Sequence, residues 1–147
     1  MTVGYTRDVL DGTARLLATA GLGEYRPGGV YGPDESVTAI GYGTRPEAPD
    51  RILWLNPYPV EDTDLTDVIT GLQVWIRAGP DPLDVSDVAD ALFAVLHNRR
   101  GLLFGSTRVA LIWRQSQALL GQDPRGRHEM TANYYLRGTR PAPYLID

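Results

Sequence analysis

Any chemistry in this chain has to come from carboxylates, arginines and two histidines, because it contains no cysteine and all 14 of its basic residues are arginine. The missing cysteine excludes disulfides, thiolate nucleophiles, zinc ribbons and iron–sulfur clusters. The missing lysine excludes a Schiff-base or P-loop lysine. His97 closes a predicted helix, where a cation suits the negative end of the helix dipole. His128 is followed by Glu129, but no other histidine lies within ligand spacing, and adjacent strand residues point to opposite faces. No metal site is expected there. Glu61, Asp62, Asp64 and Asp67 form an acidic run that invites a calcium reading. An EF-hand counted from Asp62 needs glycine at its sixth position and glutamate at its twelfth, and Asp67 and Gln73 stand there instead. The run is therefore read as a solvated loop or a docking surface for a basic partner. Gly41-Tyr42-Gly43-Thr44-Arg45-Pro46 begins like a dinucleotide fingerprint but ends in proline, and no helix follows. Neither a Gly-x-Ser-x-Gly elbow nor a His-Glu-x-x-His pair occurs. With no assembled nucleophile, base and orienting acid, neither an enzyme nor a cofactor is expected. Arg125 and Arg127 flank Gly126 and suit a phosphate or a neighbour's carboxylates, but the spread of the other arginines argues against nucleic-acid binding.

The elements that must position these residues fit one domain, residues 1–147. Hydrophobic residues at 43% and charged residues at 22% are enough for a core and argue against disorder. No apolar run approaches the ~20 residues of a membrane helix. Met1-Thr2-Val3-Gly4-Tyr5-Thr6-Arg7-Asp8 lacks the layout of a signal peptide. The expectation is a soluble protein made in a cytoplasm. Charge is split along the chain. Residues 1–98 carry 6 arginines against 15 acids, and residues 99–147 carry 8 against 3. The split suits two solvated faces of one monomer, or a subunit whose acidic side meets the basic side of a neighbour.

Spacing of three and four predicts a helix over residues 8–20, with Val9, Leu10, Thr13, Leu16, Leu17 and Ala20 on one face. A Gly/Tyr/Pro loop follows at 23–36, with Tyr25 and Tyr31 packing down. Strands are predicted at 37–42 and 51–57, joined by a turn at 43–50. A strand at 70–77 places Leu72, Val74 and Ile76 on one side and Gln73, Trp75 and Arg77 on the other. A helix at 83–98, capped by Asp84 or Ser86, buries Val85, Val88, Leu92, Val95 and Leu96 and stops at Gly101. A strand at 107–114 sets Val109, Leu111 and Trp113 against Ile112. A polar turn-rich stretch runs over 115–127. The last strand, 128–137, turns Met130, Ala132, Tyr134 and Leu136 to one face, and Glu129 and Arg137 to the other, where they can pair. The fold class is α+β: a mostly antiparallel four- to five-stranded sheet with two helices packed on one face.

The stretch Leu119-Leu120-Gly121-Gln122-Asp123-Pro124-Arg125-Gly126-Arg127-His128-Glu129-Met130-Thr131-Ala132-Asn133-Tyr134-Tyr135 resembles the LG-x-D-x-x-GR-x-E-x-x-x-N-Y segment of the tail terminator, or minor capsid, proteins of long-tailed bacteriophages. Gly29-Val30-Tyr31, Pro49-Asp50-Arg51, Gly71-Leu72-Gln73-Val74 and the helix beginning Asp84-Val85-Ser86-Asp87 agree in order. The resemblance implies a structural subunit at the head–tail junction (neck) of a siphovirus virion, assembled in the host cytoplasm. It would form a ring, usually a hexamer, that caps the head-proximal end of the tail tube and stops its polymerisation. Its partners would be other copies of itself, the major tail tube protein and the head–tail connector, with DNA passing through the lumen unread. The candidate interface residues are Asp123, Arg125, Arg127 and His128 on the loop, and Glu61, Asp62, Asp64 and Asp67 on the acidic run. Asp123 and Arg127 can pair across a subunit boundary or within their own hairpin. A head-completion protein of the same neck region and a small ligand-binding domain are the alternatives.

Overall fold

In the computed structural model, described over residues 4–32 and 36–147, the apolar stripe of the first helix becomes α1 (Tyr5–Thr19), which buries Val9, Thr13, Ala14 and Leu17. It starts three residues before the predicted point because extended Gly4 serves as its N-cap. Tyr5 then joins the first turn and hydrogen-bonds Thr70 through its hydroxyl at 2.6 Å. At the other end Gly21, at φ 85°, lets the Leu22 and Gly21 amides turn back to the Leu17 and Ala18 carbonyls. Residues 1–3, the start of the segment read as lacking a signal-peptide layout, and residues 33–35, part of the predicted 23–36 loop, lie outside the described residues.

Among the described residues, seven strands form one mixed sheet in the order β1-β2-β3-β4-β7-β6-β5. They are β1 (Glu24–Tyr25), β2 (Ala39–Tyr42), β3 (Ile52–Glu61), β4 (Asp67–Arg77), β5 (Arg99–Phe104), β6 (Thr107–Gln122) and β7 (His128–Thr139). The expectation of four or five mostly antiparallel strands is corrected in two ways. β1 and β5 are additional, and β1–β2 and β2–β3 are parallel. Because β2 is only four residues long, residues 43–51 can run back along it and enter β3 beside Ala39 without a helical crossover. β5 is hidden in sequence because Arg99, Arg100 and Gly101 read as the end of a helix. It is an edge strand whose only partner strand among the described residues is β6.

The second helix, α2 (Pro82–Leu96), is capped by Asp81, which accepts from the Leu83 amide at 2.9 Å, with Pro82 in the first turn. Asp84, an expected cap, instead pairs with Arg51 and accepts from the Gly79 amide. The helix buries Val85, Ala89, Leu92 and Leu96, while Val88 and Val95 lie at its margin. His97 closes it, stacks on Phe93 and accepts from the Arg114 amide at 3.1 Å. Both helices pack into the same apolar cluster, against Leu53, Leu72, Val74, Ile76, Ala132, Tyr134 and Leu136 of the sheet. No helix among the described residues is long and apolar enough to cross a membrane.

β6 departs most from its prediction. It continues through 115–122, because β7 pairs with it as far as Gln122↔His128. The polar composition there reflects exposure on both faces, not a turn. Register shifts at 109–111, 114–116 and 119–121 break its alternation, so Val109 and Ile112 both face the core. At the β5–β6 turn, Gly105 at φ 60° lies where a Cβ would come within 2.5 Å of the Asp8 carboxylate. Buried Asp8 accepts from Thr107 Oγ1 at 2.8 Å, Ser106 Oγ at 3.1 Å and the Ser106 amide at 3.3 Å. Substituting Asp8→Ala strands these donors and should cost about 1–3 kcal/mol. A lowered urea midpoint with an unchanged slope would register this loss.

Candidate functional site

The β6–β7 hairpin tip is built around Asp123 and Arg127. The Gly126 amide bonds the Asp123 carbonyl at 2.9 Å, with Gly126 at φ 80°. One carboxylate oxygen of Asp123 accepts the amides of Arg125 and Arg127 at 3.0 and 2.9 Å, and the other accepts Arg127 Nε at 2.8 Å. Of the two pairings left open by sequence, the one within the hairpin forms. The side chains of Asp123 and Arg127 are only 9% and 6% exposed. Arg127 reaches further, donating Nη1 to the Glu47 carbonyl at 2.6 Å and to Asp50 at 3.2 Å.

A second buried arginine completes this arrangement. Arg77, at the end of β4, donates to the carbonyls of Pro46, Pro49 and Asp50 at 2.7, 2.8 and 2.9 Å. The loop at 43–50 is thus held to the outer sheet face by two guanidinium forks, a geometry that lysine, a point charge, cannot supply. Burial and the nearby Arg127 push the Arg77 pKa down. Burial also opposes the charge on Asp123, yet the hydrogen bonds from Arg127 and Arg125 hold its carboxyl below the usual range.

The other expected residues of this end divide. Arg125 is exposed and lies 3.8 Å from Glu47. His128 is half-buried, and its Nδ1 has no partner among the described residues. Glu129 accepts from Trp75 Nε1 at 2.7 Å, and the Arg45 guanidinium lies 3.8 Å above the same indole. The expected Glu129–Arg137 pair does not form, because the two stand near opposite ends of β7, eight residues or about 26 Å apart, and Arg137 instead makes a bidentate pair with Asp67.

The acidic residues lie elsewhere. Glu61 ends β3, Asp67 begins β4, and the C-terminal segment holds the turn between them. Ile146 donates to the Asp64 carbonyl at 2.8 Å and accepts from the Thr66 amide at 2.9 Å. Glu61, Asp62 and Asp64 are exposed and make no ion pair among the described residues. β4 runs from this turn to Arg77 at the hairpin end, ten steps or about 33 Å. The eight candidate residues therefore form two groups at opposite ends of the strands.

Between them lies a surface that sequence reading missed. On the face away from the helices, Tyr58, Gly71, Tyr135 and Trp113 are cross-strand neighbours, as are Asn56, Gln73, Asn133 and Ser116. Gly71 is required here, since a Cβ would lie 2.2 Å from the Tyr58 ring. Alternation marked Gln73, Asn133 and Tyr135 as non-core, but only the strand order sets them side by side. No group of three or more acidic or histidine side chains suited to a metal occurs among the described residues.

A family model of bacteriophage tail terminator proteins matches residues 16–140, from within α1 to just beyond β7. The chain belongs to the bacteriophage tail terminator proteins. Both charged groups lie inside the matched region. A comparison with curated proteins gives no match. Membership makes this a structural protein of a virion, one that associates with other proteins of the phage tail or head.

Replacing Arg127 with Ala removes the ion pair of Asp123 and the donor to the Glu47 carbonyl, leaving Asp123 only its backbone amide donors, and a loss of about 1–3 kcal/mol is expected in urea unfolding. Arg127→Lys should recover little of it. Asp67, paired with Arg137, and Asp84, paired with Arg51, are held below the usual carboxylate range, as Asp123 is. Because these values are lower in the folded state, their contribution is complete above about pH 4 and is lost as the pH falls through the folded values. The unfolding midpoint should therefore drop below about pH 4, and Asp123→Asn should flatten that drop.

Proposed function

We propose that the protein assembles into a closed ring, a hexamer as the resemblance implies, that caps the head-proximal end of a tail tube. There it stops tube polymerisation and offers the joining surface to the head. Its partners are other copies of itself, the tail tube protein and the head–tail connector. DNA passes through the lumen without sequence-specific contact, and no catalysis is involved. The observation that carries this reading is the family match over residues 16–140.

The geometry supports it. A subunit stacked between a tube and a connector needs separate surfaces at its two ends, and the hairpin tip and the acidic turn lie at opposite ends of β4. Arg125, Glu61, Asp62 and Asp64 present exposed charges to partners. Asp123 and Arg127 act one step back, giving the tip its shape, and Asp67 is shared with Arg137. His128 belongs to the tip group.

Light scattering over a concentration series, with negative-stain images of the same samples, tests this directly. Closed rings of one stoichiometry, formed alone or on added tail tubes, are the expected result. A protein that stays monomeric and leaves tail tubes free to elongate would overturn the proposal.

A further inference from the structure

Sheets protect their outer strands with proline, with charge or with a covering element. The two sides of this sheet differ in that respect. β2 covers β3 only at residues 52–55. The uncovered part of β3 carries Pro57 and Pro59, which have no N–H to offer a further strand. On the other side, β5 pairs with β6 only at residues 107–112. Beyond that, β6 runs to Gln122 with β7 on one edge and no strand on the other among the described residues. This open run, Gln115-Ser116-Gln117-Ala118-Leu119-Leu120-Gly121-Gln122, has neither proline nor charge. Leu119 and Leu120 are 58% and 48% exposed. An uncharged open edge that carries two exposed leucines is a liability for a free monomer and an asset for an assembling subunit.

Charge sorts to match. Residues 99–122 contain Arg99, Arg100, Arg108 and Arg114 and no acid. None of these four makes an ion pair among the described residues. Residues 52–76 contain Glu61, Asp62, Asp64 and Asp67 and no base. Of these acids only Asp67 is paired among the described residues. Two unlike surfaces on one chain, complementary between copies, generate a head-to-tail contact that closes into a ring when the rotation allows.

We propose that the β5–β6 edge, comprising the open run 115–122, the adjoining Arg114 and the arginines of the β5–β6 pairing before it, docks the acidic β3–β4 turn of a second copy of this chain. The inference rests on the ring reading and names the two surfaces that meet in it. Leu119 and Leu120 lose their exposure in the contact, and the arginines set its register against Glu61, Asp62 and Asp64. Because the charges are at the surface, the contact weakens as salt rises.

Two variants test it: Arg100→Glu/Arg108→Glu on the basic edge and Asp62→Arg/Asp64→Arg on the acidic turn. All four side chains are exposed and outside any ion pair among the described residues, so the thermal midpoints should stay at the wild-type value. In sedimentation velocity at low salt, each variant alone should associate at least tenfold more weakly than the wild type. An equimolar mixture should regain association, because an alternating ring joins each glutamate edge to an arginine turn and each unchanged arginine edge to an unchanged acidic turn. Either variant assembling like the wild type, or a mixture that stays dissociated, overturns the inference and leaves the ring reading in place. A wild type that forms no ring, alone or on tail tubes, overturns the ring reading itself.

Discussion

The antiparallel ladder between β4 and β7, unbroken from Asp67↔Thr139 to Arg77↔Glu129, is the constraint on which the other features depend. Its inward side chains, Leu72, Val74 and Ile76 with Met130, Ala132, Tyr134 and Leu136, receive both helices. Its outward side carries Gln73, Trp75, Asn133 and Tyr135 to the opposite face. Its two ends hold Arg77 and the Asp67–Arg137 pair. A one-residue slip would exchange the two faces along the whole ladder. It would bury amides among leucines and move Arg77 away from the carbonyls it satisfies.

Buried charge is handled in one consistent way. Asp8, Arg77 and Arg127 are all nearly inaccessible, and each has several hydrogen-bond partners. Asp8 receives a turn, whereas the arginines receive carbonyls from a loop that has no regular structure of its own. A charge taken out of water is tolerable when it is paired or hydrogen-bonded. These charges therefore act as joints between segments distant in sequence. Asp8 joins α1 to the β5–β6 turn, and Arg77 and Arg127 join β4 and the hairpin tip to residues 46–50.

This economy separates shape from contact. At the hairpin tip the groups most suited to an ion pair, Asp123 and Arg127, are already used within the chain, and the exposed Arg125 stands beside them. At the acidic turn, Asp67 is used, and Glu61, Asp62 and Asp64 make no ion pair among the described residues. A tail terminator protein works through association with other virion proteins. A scaffold whose internal charges are satisfied presents its remaining charges to partners without distortion.

What the sequence determined by itself was local. The apolar stripes of α1 and α2, the inward sets of β4 and β7, and the LG-x-D-x-x-GR-x-E segment were all legible, because helical and strand periodicity are properties of neighbouring residues. That segment also pointed to the family. The parallel placement of β2 and β3, the edge strand β5 and the reach of β6 to Gln122 were not legible. Each depends on hydrogen bonds to a strand remote in the chain, and composition at those positions records exposure and not pairing. The site divided in the same way. Sequence identified Asp123, Arg127 and the acidic run as charged loops, but only the tertiary structure decided which charges face inward. That choice is made by whichever carbonyls and carboxylates the fold brings within reach, and for Arg127 these lie some eighty positions away, at Glu47 and Asp50.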